Sequence, residues 1–321
     1  MKNELDRAFS KENCLWLKEL CAFVIIIHHC SYYLPKSLAS SALGYIGYLP
    51  VSLFFFISGY GLMLNYMSNG CEYLNGGGYW KNKIFRIAVP TIIILFIYKS
   101  VNYYLGYNYN IADFLAGRAN YGHFWYMCVI FLFYFFFYII GKNTRSEQLV
   151  ILLNLILVSI YILFAWKINL GSYWYYTTFS FPAGLIFAYI CVKKNLLYSI
   201  LENKYIEVVI GILFCMFTYL KINRVNLGID YNGIGVGLTL ISTAIFPLLI
   251  SFLLKILNLN IHINFLGVSM EAFLLHNLFI SIIARSGDFN MITVVIICIC
   301  SYFSAFVFKY MYGYIIKSIQ K

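Results

Sequence analysis

LWLKELCAFVIIIHHCSYYL, residues 15–34, is an apolar run long enough to cross a bilayer as a helix. It also carries Lys18, Glu19, His28 and His29. A charged group in hydrocarbon costs roughly 2.5–3.5 kcal/mol on insertion scales, so such residues within a span point to a function. Helix geometry arranges them. Lys18 and His29 are eleven residues apart and fall within about 20° of one face, about 16 Å apart along the axis. His28 points about 100° away from His29. One face therefore holds a cation at one end and an imidazole three turns deeper.

The rest of the chain has the same character. Its 321 residues are 62% hydrophobic and 11% charged, with a mean hydropathy of +0.79. That leaves too little polar surface for a soluble domain. Runs of about 17–25 apolar residues predict ten spans, at 15–34, 45–67, 84–104, 124–140, 149–166, 173–192, 205–220, 233–254, 265–284 and 291–316. The expected fold is an all-α membrane protein, a single bundle of about ten transmembrane helices over residues 1–321. The polar start at 1–13 leads directly into a span, which predicts no cleavable signal peptide. No appended soluble domain and no internal repeat are expected.

The net charge of +11 would suggest a nucleic-acid partner in a soluble protein. With the N-terminus cytoplasmic, sixteen of the 23 Lys and Arg fall on the cytoplasmic side and seven on the outer side. The excess therefore reads as a topology signal, with both termini cytoplasmic, the lipid bilayer as partner and no nucleic acid. The 30 Tyr and 29 Phe suit interfacial belts or the lining of a sugar cavity. The nine Cys show no CxxC pair and no metal-ligand spacing, so no metal is expected.

Four further stretches carry polar chemistry. In LPVSLFFFISGYGLML, Ser58, Gly59 and Tyr60 allow another backbone to approach closely. In GGGYWKNKIFRIAVP, Lys83 and Arg86 share a helix face, and Pro90 one turn later kinks or unwinds the span. Such a cation pair suits either lipid phosphates or a phosphate-bearing ligand. At the outer start of the fourth span, His123 and Trp125 are either belt residues or sugar-binding ones. In the ninth span, Glu271 has no Lys or Arg within four residues, so it needs a partner on another span or a proton. His276 lies about 140° round the helix from it.

Taken in order, these pieces resemble the acyltransferase-3 family of integral membrane O-acyltransferases. The matching segments are the first span from Lys18 to His29, LFFFISGYGLM at 53–63, KNKIFRIAVP at 81–90, GHFWYM at 122–127 and FLGVSMEAFLLH at 265–276. The resemblance implies a ten-span bundle in the cell membrane. It also implies an enzyme that moves an acyl group, usually acetyl from cytoplasmic acetyl-CoA, to a hydroxyl of an extracytoplasmic sugar or lipid-linked glycan. It makes His29 the candidate catalytic histidine, with Lys83, Arg86 and Lys18 at the CoA phosphates and His123 and Trp125 at the substrate. Glu271 would orient a histidine or carry a proton. The chain departs from the family pattern at Lys18, where Arg is usual, and at Glu19, where a small residue is usual. Lys lacks the planar fork of Arg. Direct transfer and a covalent acyl-enzyme relay both remain open. The competing reading is a transporter or flippase of a glycan or lipid-linked intermediate, which ten spans with intramembrane polar groups would also suit.

Overall fold

The structure is a computed structural model of the chain. It describes residues 8–37, 40, 43, 44, 46–75, 77–194, 196–223, 228, 233–257, 267–285, 287 and 289–319. The expected helix starts at residues 45 and 265 lie outside these, as do Phe265 and Leu266 of the ninth-span motif. Among the described residues there is no strand, as a chain that must satisfy its backbone within apolar surroundings requires.

Among the described residues, ten helices carry the architecture. They are α1 (Lys11–Ser31), α2 (Tyr48–Asn69), α3 (Gly78–Leu105), α4 (Trp125–Asn143), α5 (Glu147–Lys167), α6 (Ser180–Lys193), α7 (Lys204–Ile222), α8 (Ile234–Ile256), α9 (Ser269–Ala284) and α10 (Met291–Ile319). A 3-10 turn, Gly122–Phe124, leads into α4. Eight of the ten are long and apolar enough to cross a membrane, while α6 and α9 are shorter apolar helices. Large apolar side chains stand exposed along them, including Phe96, Leu163, Phe164, Ile299 and Phe303. A surface of this kind faces lipid rather than water. The chain is an all-α, multi-pass membrane protein.

Two helices differ from the spans expected for them. α6 begins at Ser180 rather than near residue 173. Upstream, the chain forms local turns, with the Thr178 hydroxyl donating to the Tyr175 carbonyl at 2.8 Å. Pro182 sits in the first turn of α6, where its missing N–H costs nothing. α3 begins earlier than expected and contains a π-helical segment, Ile84–Ala88, in which Val89 N–H reaches back to Ile84 O. Pro90 cannot donate to Arg86 O, and its ring would crowd that carbonyl in a regular helix. The wider π turn absorbs the mismatch immediately before the proline, and it is the turn that carries Arg86.

The chain divides into two compact units. The first comprises Met1–Cys14, Val51–Gly77 and Val129–His262. In it α2 and α6 meet backbone to backbone. A Cβ at Gly59 would strike the Phe181 carbonyl, and one at Gly184 would strike the Phe56 carbonyl and the Tyr60 amide. Around this crossing Phe9, Phe56, Tyr60 and Phe187 form a ring cluster, with centroids 5.0–6.4 Å apart. Ser180 donates to Thr243 O at 3.0 Å and Thr243 to Tyr176 O at 2.9 Å, which ties α6 to α8. A buried Lys255–Glu207 ion pair at 2.7 Å joins α7 and α8.

The second unit comprises Leu15–Pro50, Gly78–Cys128 and Ile263–Lys321. Its centre is α9, packed mainly on α10 and also on α3. Three tyrosine hydroxyls donate to backbone carbonyls across this unit. Tyr98 of α3 donates to Leu274 O at 3.0 Å, Tyr302 of α10 to Glu19 O at 2.8 Å, and Tyr312 of α10 to Phe85 O at 2.5 Å.

Gly184→Ala is expected to lower the thermal midpoint of the detergent-solubilised protein, by the equivalent of about 1–3 kcal/mol for overpacking. Gly61→Ala, on the same α2 helix but with nothing within 4 Å of the added methyl, is expected to leave it unchanged or raise it. Equal midpoints for the two variants would mean that the α2–α6 crossing is not a close one.

Candidate active site

The second unit gathers four of the chain's five histidines. His28 and His29 come from α1, His123 from the 3-10 turn before α4, and His276 from α9. His29 is the hub: its ring lies 5.1 Å from His28, 5.0 Å from His276 and 6.5 Å from His123, centroid to centroid. His123 and His276 are 4.8 Å apart.

Hydrogen bonds separate these rings by role. A carbonyl oxygen only accepts, so each ring nitrogen facing one carries the proton. His123 donates from Nε2 to Leu274 O at 3.0 Å, and its Nδ1 accepts from the Asn277 amide at 3.1 Å. His28 donates from Nδ1 to Leu43 O at 2.9 Å, and its Nε2 accepts from the Tyr32 hydroxyl at 3.1 Å. Gly47 packs against the His28 ring with no room for a Cβ. Both rings therefore have both nitrogens committed. His276 donates from Nδ1 to Phe273 O at 2.6 Å, which leaves a lone pair on Nε2. That nitrogen is buried with no hydrogen-bond partner among the described residues. His29 is only partly buried and makes no hydrogen bond to any described residue. Of the four, it alone makes no hydrogen bond among the described residues, and its ring stands beside that of His276, 5.0 Å centroid to centroid.

The sequence-derived candidates fall into three places. His29 and His123 belong to the histidine cluster. Trp125 is buried on the first turn of α4, its ring 6.2 Å from that of Tyr126. Glu271 lies elsewhere, within electrostatic reach of Lys309 and Glu19, and no carboxylate is hydrogen-bonded to any of the four rings among the described residues. The basic candidates sit on α1 and α3. Lys18 is partly buried and makes no hydrogen bond or ion pair among the described residues. Lys83 and Arg86 flank the start of the π segment. The Lys83 ammonium lies 5.7 Å over the Tyr79 ring, and Arg86 is exposed.

Glu19 has a position that its sequence neighbours do not suggest. Its carboxylate accepts the Ser269 N–H at 3.0 Å and so caps the N-terminus of α9, where the helix dipole favours negative charge. Gly267 precedes this cap at φ +64°, a left-handed conformation that turns its carbonyl toward the Lys309 ammonium. Sequence reasoning also passed over His276 as a partner of His29, although it quoted the residue. The available signal was the His276–Asn277 pair in the only span besides the first that holds both a carboxylate and an imidazole.

An imidazole without a hydrogen bond among the described residues, beside three that are hydrogen-bonded, is chemically able to take and return a proton. The family model described as an acyltransferase domain, that of the acyltransferase-3 family, matches residues 15–310. The chain belongs to this family, and it is a membrane acyltransferase. Searches of curated proteins and of solved structures gave no significant match.

Glu19→Ala removes the α9 cap and is expected to cost about 1–2 kcal/mol of stability. Glu19→Gln keeps an acceptor oxygen and is expected to recover more than half of that loss in the thermal midpoint. Indistinguishable Ala and Gln variants would show that the bond to Ser269 contributes nothing.

Proposed function

We propose that the protein transfers an acyl group, acetyl in the first instance, from cytoplasmic acyl-CoA to a hydroxyl of an extracytoplasmic sugar or lipid-linked glycan, with His29 as general base. The observation that carries this reading is the uncommitted His29 imidazole, set among three rings whose hydrogen bonds fix their tautomers. In direct transfer, His29 takes the proton of the acceptor hydroxyl as that oxygen bonds to the thioester carbonyl carbon. The carbon–sulfur bond then breaks, and the departing sulfur takes the proton back from His29. The lone pair on His276 Nε2 can accept the other His29 N–H once the gap between the rings closes, holding the imidazolium while it exists. His123, with both nitrogens bonded, acts as a rigid wall that sets the position of the other two.

The donor's phosphates would lie against Lys83 and Arg86. Arg86 is exposed on the π turn, free of ion pairs among the described residues, and its guanidinium suits a phosphate. Lys18, on the His29-bearing helix about 16 Å away along the axis, is a third cation for the same end. This arrangement has the protein in the cell membrane with both termini cytoplasmic. Glu271 then serves α9 and its neighbours Glu19 and Lys309 rather than the reacting atoms.

His29→Ala is expected to lower acyl transfer from acetyl-CoA to surface glycan by about 10²–10⁴-fold with membrane insertion intact. His28→Ala is expected to retain activity within about tenfold, because His28 is already bonded through both nitrogens. Mass spectrometry of surface glycans from complemented deletion cells reads both, and full acetylation with His29→Ala would overturn the assignment. On the donor side, Arg86→Gln is expected to raise KM for acyl-CoA about tenfold or more with little change in kcat, the signature of lost ground-state binding. An unchanged KM would remove Arg86 from the donor site.

A further inference from the structure

The loop between α3 and α4 borders a half-open cavity of about 500 Å³ that none of the residues discussed above lines. Its walls are aromatic and polar together. Tyr107 and Tyr109 are stacked, with centroids 5.6 Å apart and planes 18° from parallel. Tyr109 meets Tyr121 edge-on at 6.1 Å, and the Lys99 ammonium lies 5.7 Å above the Tyr121 ring. At the base, Asn102 and Asn120 exchange two amide hydrogen bonds of 2.9 and 2.7 Å, which fixes the floor. The loop itself is pinned. Asn110 and Asp113 form a capping box on the short helix Ile111–Leu115, and Asp113 pairs with Arg118 at 2.9 Å. Asp113 is thereby neutralised, while Lys99 and Arg285 have no acidic partner among the described residues. Arg285 reaches this edge by donating to Leu105 O at 2.8 Å.

We infer that this cavity binds an acidic sugar unit of the acceptor glycan. Flat, rigid tyrosine rings suit the C–H face of a pyranose, phenol and amide groups suit its hydroxyls, and unpaired cations at the rim suit a carboxylate or phosphate substituent. The cavity also lies in reach of the histidine cluster. Tyr121 contacts Tyr98 at 6.3 Å, Tyr98 contacts His123 at 5.9 Å, and His123 contacts His29 at 6.5 Å. Tyr121 is thus no farther from His29 than these three ring contacts laid end to end. The cavity would then hold a flanking unit while another presents its hydroxyl to His29, so the inference rests on the acyl-transfer reading for its purpose but not for its binding chemistry.

The test measures binding without any acyl donor. Tetragalacturonate, as an acidic probe, and maltotetraose, as a neutral one, are titrated calorimetrically into the full chain in phosphatidylcholine nanodiscs. Tetragalacturonate is expected to bind more tightly than maltotetraose. Lys99→Gln, an exposed change that does not disturb folding, is expected to abolish the difference between them. Tyr107→Ala, used where its thermal midpoint matches wild type, is expected to weaken both at least tenfold, and Tyr314→Ala on α10 neither. No binding of either sugar, or equal affinities in wild type and Lys99→Gln, would overturn the inference. So would displacement of tetragalacturonate by adding phosphatidylglycerol, which would assign the cations to lipid headgroups. Sugar binding as expected, with no transfer of acetyl from acetyl-CoA to any glycan, would refute the transfer reaction and leave the cavity's assignment standing. Acetyl transfer without such binding would do the reverse.

Discussion

The first turn of a helix presents several N–H groups without an intrahelical partner, and at the start of α9 Val268 and Ser269 are buried. Glu19 answers that need from another helix, placing a carboxylate on the Ser269 amide. Tyr302 then holds the Glu19 carbonyl, and Gly267 supplies the left-handed turn that makes the cap possible. Fixing the start of α9 also fixes its rotation. That rotation decides that Phe273 O, Leu274 O, His276 and Asn277 arrive where the other histidines are. A carboxylate in the first span, an expensive residue by itself, is therefore tied to the geometry of the active centre through one backbone amide.

The four chemically identical histidine rings differ in how they are held. His28, His123 and His276 are each held by a backbone carbonyl, and each bond selects a tautomer. Leu274 O accepts from both Tyr98 and His123, so one carbonyl sets two side chains at once. His29 has no such tether. A base must approach its substrate, take a proton and return it, and a ring bonded through both nitrogens does none of these without losing a bond in a low-dielectric site. Under the proposed assignment, His29 would be the ring able to do so.

Much of this was legible in the sequence, because hydrocarbon imposes simple rules. Long apolar runs had to be helices, and ionisable residues within them had to be used. The helical spans, the irregular turn ahead of Pro90 and the close-approach glycine at Gly59 follow from those rules. Other features were hidden by distance along the chain. Glu19 and Ser269 are 250 positions apart, and nothing local to either predicts the cap. His276 was measured against Glu271 on its own helix, whereas its partner ring comes from α1. The late start of α6 was masked because hydropathy alone does not distinguish apolar turns from apolar helix.

By itself, the sequence determined the class of the protein, since composition and span length leave no other solvent than lipid for most of its surface. It also determined the set of polar groups that the bundle interior had to accommodate. Only the tertiary structure decided which of them are partners. Hydrogen bonds have a direction and a reach of about 3 Å, so whether an imidazole is locked or free depends on carbonyls and amides brought in from other helices. His28 and His29 are adjacent in sequence and equivalent by composition. Leu43, Tyr32 and Gly47 close around one of them, while the other makes no hydrogen bond among the described residues.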